Sequence, residues 1–271
     1  GMGNMAGVAT ALSVGGAGAI FWMWVLAFFG MMSKTVEITL GVYYRERGAD
    51  GEFRGGPQST IRKGLGWTPL AVLFSAGMLI NSVFAASMLQ SHTVGRALLA
   101  SYDINPYVVT GAMAVLTALV VLGGLRRIGR FSERLVPLMT VAYIIGALVV
   151  VIVNAGALPD VFGSIFSHAF SPVAGVGGVA GVAVSEAIKQ GMARGMLSNE
   201  AGMGTAPMVH ATADTEHPFK QGVWGAVEVF FDTIVICSIT ALAILSTGAM
   251  ASGESGIELL LVAFSEVFSP S

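Results

Sequence analysis

The chain has 271 residues, 54% apolar and only 11% charged, with a formal net charge of −2. Soluble domains carry about 25% charged residues, so this composition, with a mean hydropathy of +0.76, points to an integral membrane protein and argues against nucleic acid as a partner. Cys237 is the one cysteine, which leaves no internal disulfide or thiol-based metal site, and four scattered histidines give no metal-ligand spacing.

The chain opens without an initiator Met on Gly1-Met2-Gly3-Asn4, with no basic residue ahead of its apolar run, so it does not read as a secretory signal. It stops at SPS soon after an apolar stretch begins, and is expected to be an internal piece of a longer protein. A membrane span needs about 20 mainly apolar residues. Residues 5–18 are too few and read as half a helix. Full spans are expected at 20–44, 70–89, 107–125 and 135–157, with Pro137 kinking or starting the last. A short amphipathic piece, 162–170, ends at Ser171-Pro172; the segment 173–210 follows, then a span at 222–248 and an apolar tail from Ile257. The expected fold is all-α and polytopic, a single transmembrane domain. Its parts are 1–18 as the outward half of helix one, 19–172 as helices two to five with an external segment, and 173–271 as helices six, seven and the start of the next.

Lys and Arg placement sets orientation. Arg45, Arg47, Arg54, Arg62 and Lys63 fall in 45–63, Arg126, Arg127, Arg130 and Arg134 in 126–134, and Lys220 in 211–221, whereas the alternate connections carry almost none. The three basic loops are therefore expected in the cytoplasm. The opening half-helix then runs outward and 173–210 runs inward, five elements apart. Two glycine-interrupted, antiparallel segments at that separation are the mark of an inverted-repeat secondary transporter with discontinuous first and sixth helices.

Within Gly1-x-Gly3-Asn4-x-x-Gly7, small residues could serve close helix packing. They could equally form an unwound midplane backbone whose N–H groups meet a carboxylate, with Asn4 Oδ1 and exposed carbonyls suiting Na⁺. Ser198, Asn199, Gly202, Gly204 and Thr205 precede or form a second break, which Ala206-Pro207 reinforces. Lys34 and Glu37 share one helical face and are expected to pair with each other. Glu228 and Asp232, four apart, could partner Arg194, Lys189 or Lys34, or form a gating or proton-sensing pair. Glu186 and Arg194 are further candidates for gating or charge pairing, and Asn81, Ser87 and Gln90 for lining a cavity. An ion channel would need repeated pore-lining rings or a filter loop. An intramembrane hydrolase would need a nucleophile elbow near Ser198 or His210, which the sequence does not contain.

Three stretches in order, GMGNMAGVATAL at 1–12, GGAGAIFWMWVLAFFGMMSK at 15–34 and RGMLSNEAGMGTAPMVHA at 194–211, resemble the sodium:alanine (alanine or glycine:cation) symporter family. The resemblance implies a LeuT-like 5+5 inverted repeat in the cell membrane, importing a small neutral amino acid with Na⁺, or H⁺, as coupling ion. It implies no organic cofactor, no enzymatic activity and no obligate protein partner. Carried over by motif, Gly1, Gly3, Asn4 and Gly7 match the broken first helix. Ser198, Asn199, Gly202, Gly204 and Thr205 match the sixth. The family's eighth helix, used for a second ion site, lies outside the expected piece.

Overall fold

The computed structural model describes residues 1–49, 51–170 and 180–269; the Ser171-Pro172 turn and the start of the 173–210 segment lie outside the described residues. Apart from one two-residue hairpin, every described element is a helix. A π-helical turn, Gly3–Gly7, runs without interruption into α1 (Val8–Gly15), and Gly16, at φ +67°, ends it. The backbone of residues 3–7 is thus helical, not unwound as the glycine motif suggested. Next comes α2 (Gly18–Tyr43), whose 26 residues contain no proline and present Phe28, Phe29 and Met32 outward.

The expected loop at 45–63 is structured: β1 (Glu46–Arg47) pairs antiparallel with β2 (Phe53–Arg54), and α3 (Pro57–Gly64) follows. The Arg45 guanidinium covers the Phe53 ring at 3.7 Å and donates to the Ala211 and Ala213 carbonyls at 3.1 and 2.6 Å, tying this end to the far end of the broken segment. Glu46 sits between Lys63 and Arg62, whose hydrogen bonds hold its carboxyl below the ordinary glutamate range.

Then follow α4 (Thr68–Ile80), a π-helical stretch Asn81–Ala86, and α5 (Ser87–Tyr102), which together form one continuous apolar helix of 35 residues. The expected 70–89 span therefore extends to Tyr102 and takes Arg96 into a helix. After α6 (Pro106–Val121), α7 (Leu125–Val153) is continuous through Pro137, so that 126–134 is its first turns and not a loop. The chain continues through α8 (Leu158–Phe170), α9 (Ala180–Asn199), α10 (Thr205–His210), α11 (Pro218–Val229), a π-helical stretch Phe230–Cys237, α12 (Ser238–Ser246) and α13 (Gly256–Phe268). Proline opens α3, α6 and α11, where its missing N–H costs no hydrogen bond.

Among the described residues four helices are long and apolar enough to cross a membrane: 18–43, 68–102, 127–153 and 218–246. Their outward faces carry large apolar side chains such as Leu73, Ile80, Phe84, Leu138 and Phe231, as a hydrocarbon solvent requires. The protein is a multi-pass, all-α membrane protein. At its centre α2 packs on α9 and α11, and a Cβ at Gly191 would collide with the Ala19 carbonyl, one at Gly222 with Thr39. The main buried cluster joins α1, α2, α8, α12 and α13 through Leu12, Ile20, Met23, Ile165, Ile244 and Leu259. This brings the start of the chain against α9 and the Phe230–Cys237 stretch.

Candidate functional site

Three polar side chains meet where those elements converge. Asn4 sits in the Gly3–Gly7 π-turn, Ser198 in the last turn of α9 and Asp232 in the Phe230–Cys237 π-stretch. Asn4 Nδ2 donates to Asp232 Oδ1 at 2.7 Å and to the Asp232 carbonyl at 3.0 Å. Ser198 Oγ donates to the other carboxylate oxygen, Oδ2, at 2.6 Å, and Thr233 Oγ1 lies 3.3 Å from it. Asn4 Oδ1 accepts from the Gly1 nitrogen at 2.7 Å. The buried Cys237 thiol lies 3.3 Å from Ser198 Oγ and 3.6 Å from Asn4 Nδ2. Asn4 is 2% exposed, so its amide must be satisfied within the protein. A π-turn widens the helix and is commonly found at functional sites; here two of three such stretches supply the carboxylate and its amide partner. Gly3 makes the approach possible: a Cβ there would lie 2.5 Å from Ser198 Cα.

The second break is where the sequence places it, and it starts two residues earlier than the glycines. Asn199 ends α9; Glu200 at φ +56°, Gly202 at +86° and Gly204 at +78° carry the chain through left-handed conformations into α10. Asn199 ties the broken end down. Its Oδ1 accepts from the Ala201 N–H at 3.0 Å, its Nδ2 donates to Thr233 Oγ1 at 3.1 Å, and its carbonyl accepts from Lys34 Nζ at 2.7 Å. A lysine ammonium on the last carbonyl of a helix answers both an unpaired acceptor and the negative end of the dipole. Pro207 does not make the break; it lies within α10, buried against Gly41 of α2.

The expected pairings divide. Lys34 does not pair with Glu37; it meets Glu228 at 3.3 Å, one of the partners the sequence allowed for Glu228. Glu228 also meets His210 Nε2 at 2.8 Å, and His210 Nδ1 meets Gln221 at 2.8 Å. Glu37 instead receives a backbone hydrogen bond from Gly202, and its Oε2 is buried with no partner among the described residues. Glu228 and Asp232 do not act as one pair: a turn apart along the helix they meet different neighbours, Asp232 reaching Asn4 and Ser198 and Glu228 reaching Lys34. Glu186 makes contacts only within its own helix, to Gln190 at 2.7 Å and Lys189 at 3.6 Å. Neither Lys189 nor Arg194 reaches Asp232. Gly202 and Gly204 border a cavity shared with Glu37, Pro57 and Phe74, and Thr205 donates to Glu200. These three are therefore separated from the Asn4–Ser198–Asp232 cluster. Gly7 is buried within its own turn.

A mainly apolar cavity of about 540 Å³ adjoins Gly1 and Asn4; its polar lining includes Gln90, Thr93, Thr140 and Tyr143. Gln90 was legible as a cavity-lining residue, whereas Asn81 and Ser87 do not border this cavity, and Ser87 bonds back to the Ser82 carbonyl. Thr93, Thr140, Tyr143, Thr233, Gln221 and Cys237 carried no sequence signal, being ordinary residues of apolar helices.

The cluster's oxygen donors are the Asp232 carboxylate and the Ser198 hydroxyl, while Asn4 turns its amide nitrogen to the carboxylate and its oxygen to Gly1. Such a set fits an alkali cation and not a soft metal, and among the described residues no group of three His, Cys, Asp or Glu could hold a metal ion. Ser198 and His210 bond to different carboxylates, Asp232 and Glu228, and form no nucleophile–base pair. A polytopic helical fold, a helix broken between Asn199 and Thr205 and a carboxylate gathered by side chains from two other elements are features that membrane transporters share.

The sequence comparisons agree. The profile of the sodium:alanine symporter family matches residues 1–271, and the chain belongs to this family. It is 41% identical over 255 residues to a sodium/alanine symporter, AgcS, of Methanococcus maripaludis, covering 93% of this chain and 55% of that protein. It is 44% identical over 262 residues to the amino-acid carrier protein AlsT of Bacillus subtilis, covering 96% and 54%. A probable sodium/glutamine symporter, GlnT, of the same organism is 39% identical over 260 residues, covering 96% and 53%. The chain spans about half the length of the curated relatives it matches.

Proposed function

We propose that this chain forms the ion- and substrate-binding part of a secondary symporter that imports a small neutral amino acid, alanine or glycine, coupled to Na⁺. The single observation that carries the reading is the Asp232 carboxylate held between Asn4 and Ser198, one residue from each of the two segments expected to be discontinuous. Na⁺ as cargo would take the Asp232 carboxylate and Ser198 Oγ, and Asn4 Oδ1 once the amide turns over and gives up its Nδ2 bond to Asp232. Asp232 thus joins the ion site, a role different from gating. The amino-acid carboxylate would lie beside the Gly1–Asn4 backbone and its ammonium near the carbonyls at the end of α9. Ion binding that draws Asn4, Ser198 and Asp232 together would favour one conformation, and coupling requires that substrate favour the same one.

The fold proposed for the whole protein is a LeuT-like 5+5 inverted repeat with α9–α10 as the sixth helix, broken between Asn199 and Thr205, and the Gly3–Gly15 helix as the part of the first helix that follows its break, in the cell membrane, with 45–63, 126–134 and 211–221 in the cytoplasm. Support comes from the opposite directions of α1 and α9 and from the basic residues at those three positions. The test is Asn4→Ala in the full-length protein in proteoliposomes. Na⁺ dependence of alanine and glycine uptake should shift to higher Na⁺; an unchanged Na⁺ dependence removes Asn4 from the ion site.

A further inference from the structure

A second cavity, of about 330 Å³, lies on the other side of the Gly3–Gly7 turn from the apolar one and is strongly charged. Gly3 and Arg194 border it, with His92 and Arg96 from α5 and Glu258 from α13. Thr10 of α1 and Arg194, which precedes Ser198 on α9, border it on the side of the ion cluster away from the α9 break. Helix α13 lies across α1, α5, α7 and the Gly3–Gly7 turn. Arg96 Nε meets Glu258 Oε1 at 2.5 Å, which latches α13 to α5. The lid's carboxylate is the sheltered partner, 17% exposed against 53% for Arg96.

Arg194 is the unsatisfied group in this cavity. Its Nε is buried with no hydrogen-bond partner among the described residues, and a guanidinium cannot shed its charge to relieve that. A buried donor without an acceptor is costly, and the planar fork of arginine matches a carboxylate. Among the described residues the cavity is lined by two guanidinium groups and one carboxylate, and that carboxylate is committed to Arg96. Arg194 lies one helical turn before Ser198 on α9, about 6 Å along the axis, so a ligand on it stands one step from the Asn4–Ser198–Asp232 cluster.

We infer that this cavity is an entry site for the carboxylate of the incoming amino acid, with Arg194 as its receptor and the Arg96–Glu258 pair as the latch that closes α13 over it. The inference rests on the amino-acid transport reading and adds a site distinct from the ion cluster. It gives the protein a way to select an α-carboxylate before the ion site is reached.

The test uses full-length protein with three probes: alanine, alaninamide, which lacks the carboxylate, and propionate, which lacks the amine. Binding is read as thermal stabilisation in detergent and transport as Na⁺-driven uptake in proteoliposomes. Wild-type protein should bind alanine at least tenfold more tightly than alaninamide. Arg194→Gln should cut that preference at least threefold and weaken stabilisation by propionate likewise, the remainder belonging to the Gly1–Asn4 backbone, with the Na⁺ midpoint measured without amino acid unchanged. Arg194→Lys should restore part of the discrimination, and Glu258→Gln should speed alanine entry several-fold. If Arg194→Gln does not fold, unchanged discrimination in Arg194→Lys together with unchanged entry in Glu258→Gln overturns the inference. Normal uptake with full discrimination in Arg194→Gln overturns it while leaving the transport reading intact. Absence of Na⁺-driven uptake, with Arg194-dependent stabilisation by alanine and propionate, keeps the carboxylate site and overturns transport. Wild-type protein that does not distinguish alanine from alaninamide overturns the carboxylate site outright.

Discussion

Replacing Asp232 by Asn tests the ion cluster with little change in volume. The carboxylate now accepts from Asn4 Nδ2 at 2.7 Å on one oxygen and from Ser198 Oγ at 2.6 Å on the other. Asn can present only one oxygen, so its amide nitrogen must face one of those donors, and the charge that would hold a cation is gone. A hydrogen bond to a charged group is worth about 1.5–3 kcal/mol, and a cation–carboxylate contact in the same setting is taken as comparable. At about 1.4 kcal/mol per factor of ten, Na⁺ affinity should fall roughly ten- to hundredfold. The assay is stabilisation of full-length protein titrated with NaCl at constant ionic strength against choline chloride, so that screening is held fixed. Asp232→Glu, which keeps the charge and misplaces it, should fall between. A Na⁺ midpoint for Asp232→Asn within twofold of wild type would refute the assignment of Asp232 to the ion site.

Gly3→Ala puts a Cβ 2.5 Å from Ser198 Cα; the two backbones must separate, costing about 1–3 kcal/mol, read as a lower unfolding temperature in detergent together with weaker Na⁺ binding. Lys34→Met leaves the Asn199 carbonyl without its donor and Glu228 without its cation. Because the Glu228 side chain is 43% exposed, the expected loss of stability is reduced by solvent to about 1–3 kcal/mol. Lys34→Met combined with Glu228→Gln should cost less than the sum of the two single changes, as a double-mutant cycle in unfolding would show. For Glu46 the folded carboxyl titrates below its ordinary value of 4.5, held there first by Lys63 and then by Arg62. Its contribution is complete above that value and is lost as pH falls through the lowered folded value. Proteolysis of the 45–63 segment should therefore accelerate as pH drops below about 4.5, and Glu46→Gln should flatten that dependence.

The sequence was most readable where the backbone itself signals. Glycine and the Ser198–Thr205 wording marked the second break, and hydropathy marked four of the five expected spans, since hydrocarbon leaves a chain few choices; the expected 107–125 span is the shorter, 16-residue α6. The sequence was least readable where a side chain's partner comes from another helix. Glu228 and Asp232 lie on one stripe a turn apart, yet Asp232 meets Asn4 and Ser198 while Glu228 meets Lys34 and His210. No local feature announces which neighbour each turn faces. Lys34 and Glu37 were misjudged for a related reason: spacing permits an i,i+3 pair, but Asn199 and Glu228 on neighbouring helices offer Lys34 better acceptors. Pro137 in a continuous α7 and Arg96 within α5 show helix ends running past the limits that charge suggests. The arginine in the charged cavity was visible as a charge in an apolar segment, but its lack of an acceptor needed the packing of α5 and α13 around it.

The most direct test of the central claim is uptake by full-length protein in proteoliposomes with an inward Na⁺ gradient imposed and then removed. The account predicts concentrative alanine or glycine accumulation that collapses when external Na⁺ is replaced by choline or when the gradient is dissipated. Accumulation indifferent to the Na⁺ gradient, or conductance without saturable uptake, would contradict it.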